Sequence, residues 1–160
     1  MTSVRTRING TDVAREVEPR RRLADFLRED LGLLGTKVSC EVQVCGACTV
    51  LVDGQPMSSC TYLAVDIDGC DVTTIEGVGG DDDDLSTVQQ AFVDQSALQC
   101  GFCTAGFIMS TTALLSENPS PSDDEITEYL DGNLCRCTGY VQICAAVKQA
   151  AGTLQEDTHG

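Results

Sequence analysis

Ten cysteines in 160 residues constrain this chain more than any other feature. Eight of them fall into two groups of four. Cys40, Cys45, Cys48 and Cys60 are spaced C-x4-C-x2-C-x11-C, and Cys100, Cys103, Cys135 and Cys137 are spaced C-x2-C-x31-C-x-C. Aromatic residues are 4% and Trp is absent, so any core is small and aliphatic. Small domains of that kind often lean on cross-links or metals. The N-terminal run MTSVRTRING has no apolar stretch of the secretory type. The cysteines are therefore read as metal ligands rather than disulfides, in a cytoplasmic protein. No run of 18 apolar residues exists, which argues against a membrane span.

The first spacing is that of a plant-type 2Fe–2S site. Two irons bridged by two sulfides need four thiolates, two on each iron. A tight loop can supply three of them while its backbone N–H groups point at the sulfurs, and such hydrogen bonds stabilise the anionic cluster. Gly46 would let the backbone approach closely. Structural zinc is the weaker alternative, because zinc sites usually pair two short hooks. The second spacing is less diagnostic, and zinc stays open there on spacing alone. Cys103 and Cys137 each precede an expected helix. Helix N-termini present unpaired N–H groups and a positive dipole end, which favour a negative cluster.

The periodicity divides the chain into two unlike halves. Asn9-Gly10 reads as a hairpin turn between strands at 3–9 and 12–18. A helix is expected over 20–32, with Leu23, Phe26, Leu27 and Leu31 on one face. A cysteine-bearing loop covers 36–48, strands are expected at 48–53, 56–59 and 71–75, and Asp53-Gly54 is a second turn. The domain boundaries read as 1–76, an acidic Gly/Asp linker at 77–85, a helical domain at 86–152 and a disordered tail at 153–160. Ser86 with Gln89 and Ser122 with Glu125 form capping boxes. Helices are expected at 87–97, at 104–116 (Phe107, Ile108, Thr111, Leu114, Leu115), around Ile126, Tyr129 and Leu130, and at 139–151 (Tyr140, Ile143, Val147, Ala150). Four short helices in two pairs make a compact bundle the simplest arrangement.

Charge excludes some functions. The net charge is −15, and residues 38–160 carry 19 acidic against two basic side chains. Nucleic acid and anionic lipid are poor partners for such a surface. The first 37 residues hold eight basic and six acidic side chains, a stretch able to steer a protein partner. The glycines at 77, 79 and 80 do not open a helix in a βαβ unit, so no dinucleotide site is expected. His159 is the lone histidine and is read as solvated, which excludes a Rieske centre. Cys70 and Cys144 are read as small buried hydrophobes.

The runs GTKVSCEVQVCGACTVLVDG (35–54), LQCGFCTAGF (98–107) and NLCRCTGY (133–140), in this order, carry a resemblance. Together they resemble the small iron–sulfur subunit of molybdenum hydroxylases, the relatives of xanthine dehydrogenase, aldehyde oxidoreductase and aerobic carbon monoxide dehydrogenase. The resemblance spans about residues 3–152. It implies an α+β fold, a plant-type ferredoxin-like β-grasp domain followed by an all-α four-helix bundle, with one 2Fe–2S cluster in each. Cys40, Cys45, Cys48 and Cys60 would hold the first cluster, and Cys100, Cys103, Cys135 and Cys137 the second. It further implies that Gln99 and Cys137 touch the molybdopterin of a partner subunit, and that Arg136 balances cluster charge or contacts a partner. Three positions depart from the family's common pattern. Ser39 and Gln43 stand where Gly is frequent, and Ala105 stands where Pro is frequent. Gln43 is less free to take a positive φ, while Ala at a helix start changes little.

The function implied is electron transfer without a catalytic site on this chain. Electrons would pass from a molybdopterin centre in a large subunit, through the two clusters, to FAD in a medium subunit. The assembly would be a heterotrimer or a dimer of heterotrimers. The alternatives are a stand-alone two-cluster ferredoxin and a structural zinc module.

Overall fold

The computed structural model describes residues 1–79 and 84–159. The first half is a five-stranded mixed sheet of β1 (Thr2–Ile8), β2 (Thr11–Val17), β3 (Thr49–Val52), β4 (Gln55–Ser58) and β5 (Asp71–Thr73), in the order β2-β1-β5-β3-β4. The β1–β5 pair is parallel and the others are antiparallel. Both expected tight turns are present. Asn9 and Gly10 take φ of 49° and 78°, and Asp53 and Gly54 take 50° and 82°, as two-residue hairpin loops require.

The strands explain where the core lies. Along β1, Val4, Thr6 and Ile8 turn inward and their neighbours outward. β3 is buried at every residue because both its faces are covered. Val50 and Val52 join Leu23, Phe26, Leu27 and Ile67 in the sheet core, while Leu51 meets Met109 and Ala113 from the second half. The expected helix at 20–32 is shorter and wound differently. α1 covers Leu23–Asp25, and Phe26–Asp30 continues as a π-helical stretch in which Leu31 N–H donates to Phe26 C=O at 3.2 Å. The buried face is the one the spacing predicts. Spacing alone does not separate α-helical from wider turns.

The second half holds α2 (Thr87–Asp94), α3 (Thr104–Glu117), α4 (Asp123–Leu130) and α5 (Val141–His159). Both capping boxes form with reciprocal bonds, Ser86 with Gln89 and Ser122 with Glu125. α2 stops before the expected residue 97, and Ser96 sits at φ 51°. α5 begins at Val141 rather than 139, because Gly139 and Tyr140 both have positive φ, 66° and 69°. Tyr140 therefore leaves the apolar stripe and is exposed, whereas Ile143, Val147 and Ala150 are buried. The tail expected to be disordered from residue 153 is helical through His159, and Gly152 does not stop the helix. The four helices share a core that includes Phe92, Phe107, Ile126, Ile143 and Val147. Of the expected linker at 77–85, residues 80–83 lie outside the described residues.

The two halves touch closely. Gly106 of α3 lies against the backbone of Gly46 and Ala47 in the first cysteine loop. A Cβ on Gly106 would overlap the Gly46 carbonyl oxygen and stand 3.2 Å from Ala47 Cα. Glycine here permits helix and loop to pack backbone to backbone.

Candidate metal centres

The loop from Thr36 to Cys48 contains neither helix nor strand. Glu41 and Gln43 both sit in the left-handed region, at φ 59° and 58°. Gln43 thus adopts the conformation that a glycine would take more cheaply, at a cost on the order of 1–2 kcal/mol. Two side-chain contacts help hold the loop in place. Thr61 Oγ1 donates to Gln43 Oε1 at 3.1 Å, and Arg22 pairs with Glu41. The resulting curl turns backbone donors toward one sulfur. Val44 N–H and Cys45 N–H each reach Cys40 Sγ at 3.4 Å. The N–H groups of Val42, Val44 and Cys45 hold the Cys40 thiol down to about 6. Cys48 lies deeper, and burial, with the Cys60 thiol beside it, pushes it up to about 11. Gly46, at φ 67°, fits beneath Asn133, and a Cβ there would come within 2.6 Å of Gly132 O.

The second quartet lies at the ends of helical elements. Cys103 is the N-cap of α3, as its position before that helix predicts. Cys137 is not at a helix start, since α5 begins four residues later. Cys137 Sγ and Cys100 Sγ are 3.7 Å apart, and both residues are exposed. The Cys100 thiol raises that of Cys137. Burial and the neighbouring Cys135 thiol push Cys103 up to about 12. Burial also pushes Cys135 up, but hydrogen bonds from Thr138 and the N–H of Cys137 outweigh it and bring it to about 7.

The thiols come together two by two: Cys40 with Cys45, Cys48 with Cys60, Cys100 with Cys137 and Cys103 with Cys135. None of the ten cysteines is in a disulfide. Among the described residues, no three Cys, His, Asp or Glu side chains close around the position of one ion. Paired thiols suit a unit of two metal centres with two thiolates on each. Backbone N–H groups aimed at sulfur suit an anionic unit. The residues therefore fit 2Fe–2S groups at both quartets. A backbone hydrogen bond joins the two loops: Leu134 N–H donates to Cys45 C=O at 2.9 Å. Beside it, buried Asn133 donates from Nδ2 to Gly46 C=O at 3.2 Å and accepts from Ser110 Oγ at 2.9 Å.

Residues 6–74 match the family model described as a 2Fe–2S iron–sulfur cluster binding domain, and residues 74–148 match a second 2Fe–2S binding domain. The small subunit of nicotine 6-hydroxylase from Paenarthrobacter nicotinovorans is 51% identical over 147 residues, which cover 92% of this chain and 88% of that one. The small FeS subunit of nicotinate dehydrogenase from Eubacterium barkeri is 46% identical over 148 residues, covering 92% and 94%. This chain belongs to the small iron–sulfur subunits of the molybdenum hydroxylase family. The crystal structure of quinoline 2-oxidoreductase from Pseudomonas putida 86 superposes with a TM-score of 0.92 at 47% identity, covering 97% of this chain and 96% of that one. The iron–sulfur subunit thus combines an α+β ferredoxin-like domain with a helical domain and carries two 2Fe–2S binding domains. It is a component of an oxidoreductase complex with an electron-transfer role. Among the described residues no helix is long and apolar enough to cross a membrane.

Other residues singled out in the sequence fall in varied places. Gln99 and Arg136 are exposed beside the second quartet. Ala105 lies in the first turn of α3, and Ser39 lies in the first cysteine loop. Cys70 and Cys144 are half-buried rather than buried, and Cys144 lines a cavity of about 380 Å³ with Phe107, Leu130, Leu134, Tyr140 and Ile143. The side chain of His159 lies outside the described residues. Sequence reasoning missed Asn133, Thr138 and Tyr140 as parts of the site. Their one available signal is position within the run NLCRCTGY, between and around two ligand candidates.

Proposed function

We propose that this subunit carries electrons from a molybdopterin centre in a large subunit, through two 2Fe–2S clusters, to FAD in a medium subunit, and that it has no substrate site of its own. Cys40, Cys45, Cys48 and Cys60 hold one cluster in a β-grasp domain, and Cys100, Cys103, Cys135 and Cys137 hold the other in a four-helix bundle. Each bound group supplies storage of one electron at its quartet. The single observation that carries the reading is the pair of paired-thiol sites joined by the Leu134–Cys45 hydrogen bond. The route from Cys135 Sγ to Cys45 Sγ runs along backbone, with that hydrogen bond as its one through-space step. Cys100 and Cys137 are exposed, as is Gln99, so this edge is open to the pterin of the large subunit. At the other site, Val42 and Val44 are 64% and 57% exposed, which makes an apolar surface for a second partner.

The test is metal analysis and reduction of the purified full chain, followed by Cys137→Ser. About four irons and four sulfides per chain are expected from two clusters of two irons. Dithionite reduction should give two paramagnetic signals, of which Cys137→Ser damages one and spares the other. Stoichiometric zinc without sulfide overturns the reading, and so does loss of both signals together. Native size exclusion tests the partners, because a free monomer holding all of the chain in cell extract defeats the subunit assignment.

A further inference from the structure

Cys135 receives two hydrogen bonds from one residue, Thr138. Thr138 Oγ1 lies 3.1 Å from Cys135 Sγ, and Thr138 N–H reaches the same sulfur at 3.4 Å. The hydroxyl is oriented from its other side, where Tyr140 N–H donates to Thr138 Oγ1 at 3.2 Å. With a lone pair engaged there, the hydroxyl proton is directed to the sulfur. Tyr140 then closes the loop, since its phenol oxygen accepts from Cys135 N–H at 3.0 Å. Its ring is held edge-on to Phe107, with centroids 6.3 Å apart. The backbone of Tyr140 sits at φ 69°, a strained setting for a residue with a side chain. That conformation turns both its N–H and its ring back over residues 135–138.

We infer that Thr138, oriented by Tyr140, is a positioning residue that sets the reduction potential of the second cluster through its hydroxyl bond to Cys135 Sγ. The inference rests on the proposed role of Cys135 as a cluster ligand. Reduction adds one electron to the site and draws no proton from Thr138, whose hydroxyl proton stays on oxygen. The added negative charge strengthens a hydrogen bond to the thiolate, so the donor favours the reduced state and raises the potential. At the first quartet Cys40 receives backbone N–H groups, and the hydroxyl that reaches Cys48 is that of Ser59. The two sites are therefore tuned by different donors, and a change at Thr138 should move one of them alone.

The test uses the full chain with its partner subunits as purified, titrated potentiometrically and followed by paramagnetic resonance of each cluster. Thr138→Val keeps the shape and removes the hydroxyl. It should lower the reduced-to-oxidised ratio of the second cluster at fixed potential about tenfold, or about 59 mV for one electron. Thr138→Ala should shift it in the same direction, and Thr138→Ser should restore the wild-type value. The first cluster should not move in any of the three. Second-cluster potentials unchanged in both Val and Ala variants overturn the inference, as does a Ser variant that shifts as far as Val. Absence of a second cluster from the wild-type protein overturns the ligand reading itself, which iron content distinguishes from an unmoved potential.

Discussion

The contact between α3 and the first cysteine loop can be tested with two glycines in the same setting, a helix, but with opposite surroundings. Gly106 is buried in α3, where a Cβ would overlap the Gly46 carbonyl oxygen and stand 3.1 Å from Gly46 C and 3.2 Å from Ala47 Cα. These are backbone atoms of a loop already bent through positive φ at residues 41, 43 and 46. They cannot swing aside as the end of a flexible side chain can. Overpacking of this kind costs about 1–3 kcal/mol. Replacing a helical Gly by Ala returns about 0.8–1 kcal/mol of propensity. An overlap with backbone atoms this close falls in the upper half of that range, about 2–3 kcal/mol, so Gly106→Ala should lose about 1–2 kcal/mol net. Gly152 of α5 is the control, because a Cβ there meets nothing within 4 Å. Gly152→Ala should gain about 0.5–1 kcal/mol. The assay is anaerobic urea unfolding of the cluster-loaded chain, followed by far-ultraviolet circular dichroism, with midpoints compared at equal slope. Moving α3 away from the loop also displaces Cys103, so Gly106→Ala should bleach its clusters at lower urea than wild type. A Gly106→Ala protein as stable as wild type would refute the steric argument. A Gly152→Ala protein destabilised as much as Gly106→Ala would refute the use of local space to assign the sign.

Two further outcomes follow from named contacts. Asn133→Ala leaves the buried Ser110 hydroxyl without its acceptor and removes one donor from the Gly46 carbonyl, which keeps Thr49 N–H and Thr49 Oγ1. It should cost about 1–3 kcal/mol in a urea titration and weaken the magnetic coupling between the reduced clusters. Glu125 is held below the ordinary carboxylate range by hydrogen bonds from Ser122 N–H and then Ser122 Oγ, with Asn118 adding to them. Its folded-state value is depressed, so its contribution is present above the unfolded value and lost as pH falls through the folded one. Glu125→Gln should therefore melt below wild type at neutral pH, with the gap closing as the solution is acidified. A gap that widens toward acid contradicts this sign.

Much of the local structure was legible because its determinants are local. Asn9-Gly10 and Asp53-Gly54 are turns in their own right, and both capping boxes are three-residue patterns. The apolar faces of the helical stretch 23–30 and of α3 were readable from spacing, and Leu23, Phe26, Leu27, Phe107 and Leu114 are buried. Tyr140 was not readable. Its spacing from Ile143 suits a helical stripe, but its side chain is committed to Cys135 N–H and its backbone to a positive φ. The π-helical winding at Phe26–Asp30 and the helix beyond Gly152 also escaped, since neither leaves a distinctive residue pattern. At the candidate sites the cysteines were visible as two quartets. Asn133 and Thr138 were not, because Asn and Thr are ordinary loop residues until their partners are known.

Sequence alone determined the number, kind and grouping of the sulfur donors. A thiol is a thiol in any fold, and spacings of one to four residues limit what short loops can enclose. Only the tertiary structure decided which thiols face each other and how near the two loops lie. Cys103 meets Cys135 across 31 intervening residues, and Leu134 reaches Cys45 from the other half of the molecule. Those approaches depend on α3 packing against Gly46 and on Leu51 meeting Met109. Such long-range fits arise from the summed packing of many side chains, which no short stretch of sequence encodes.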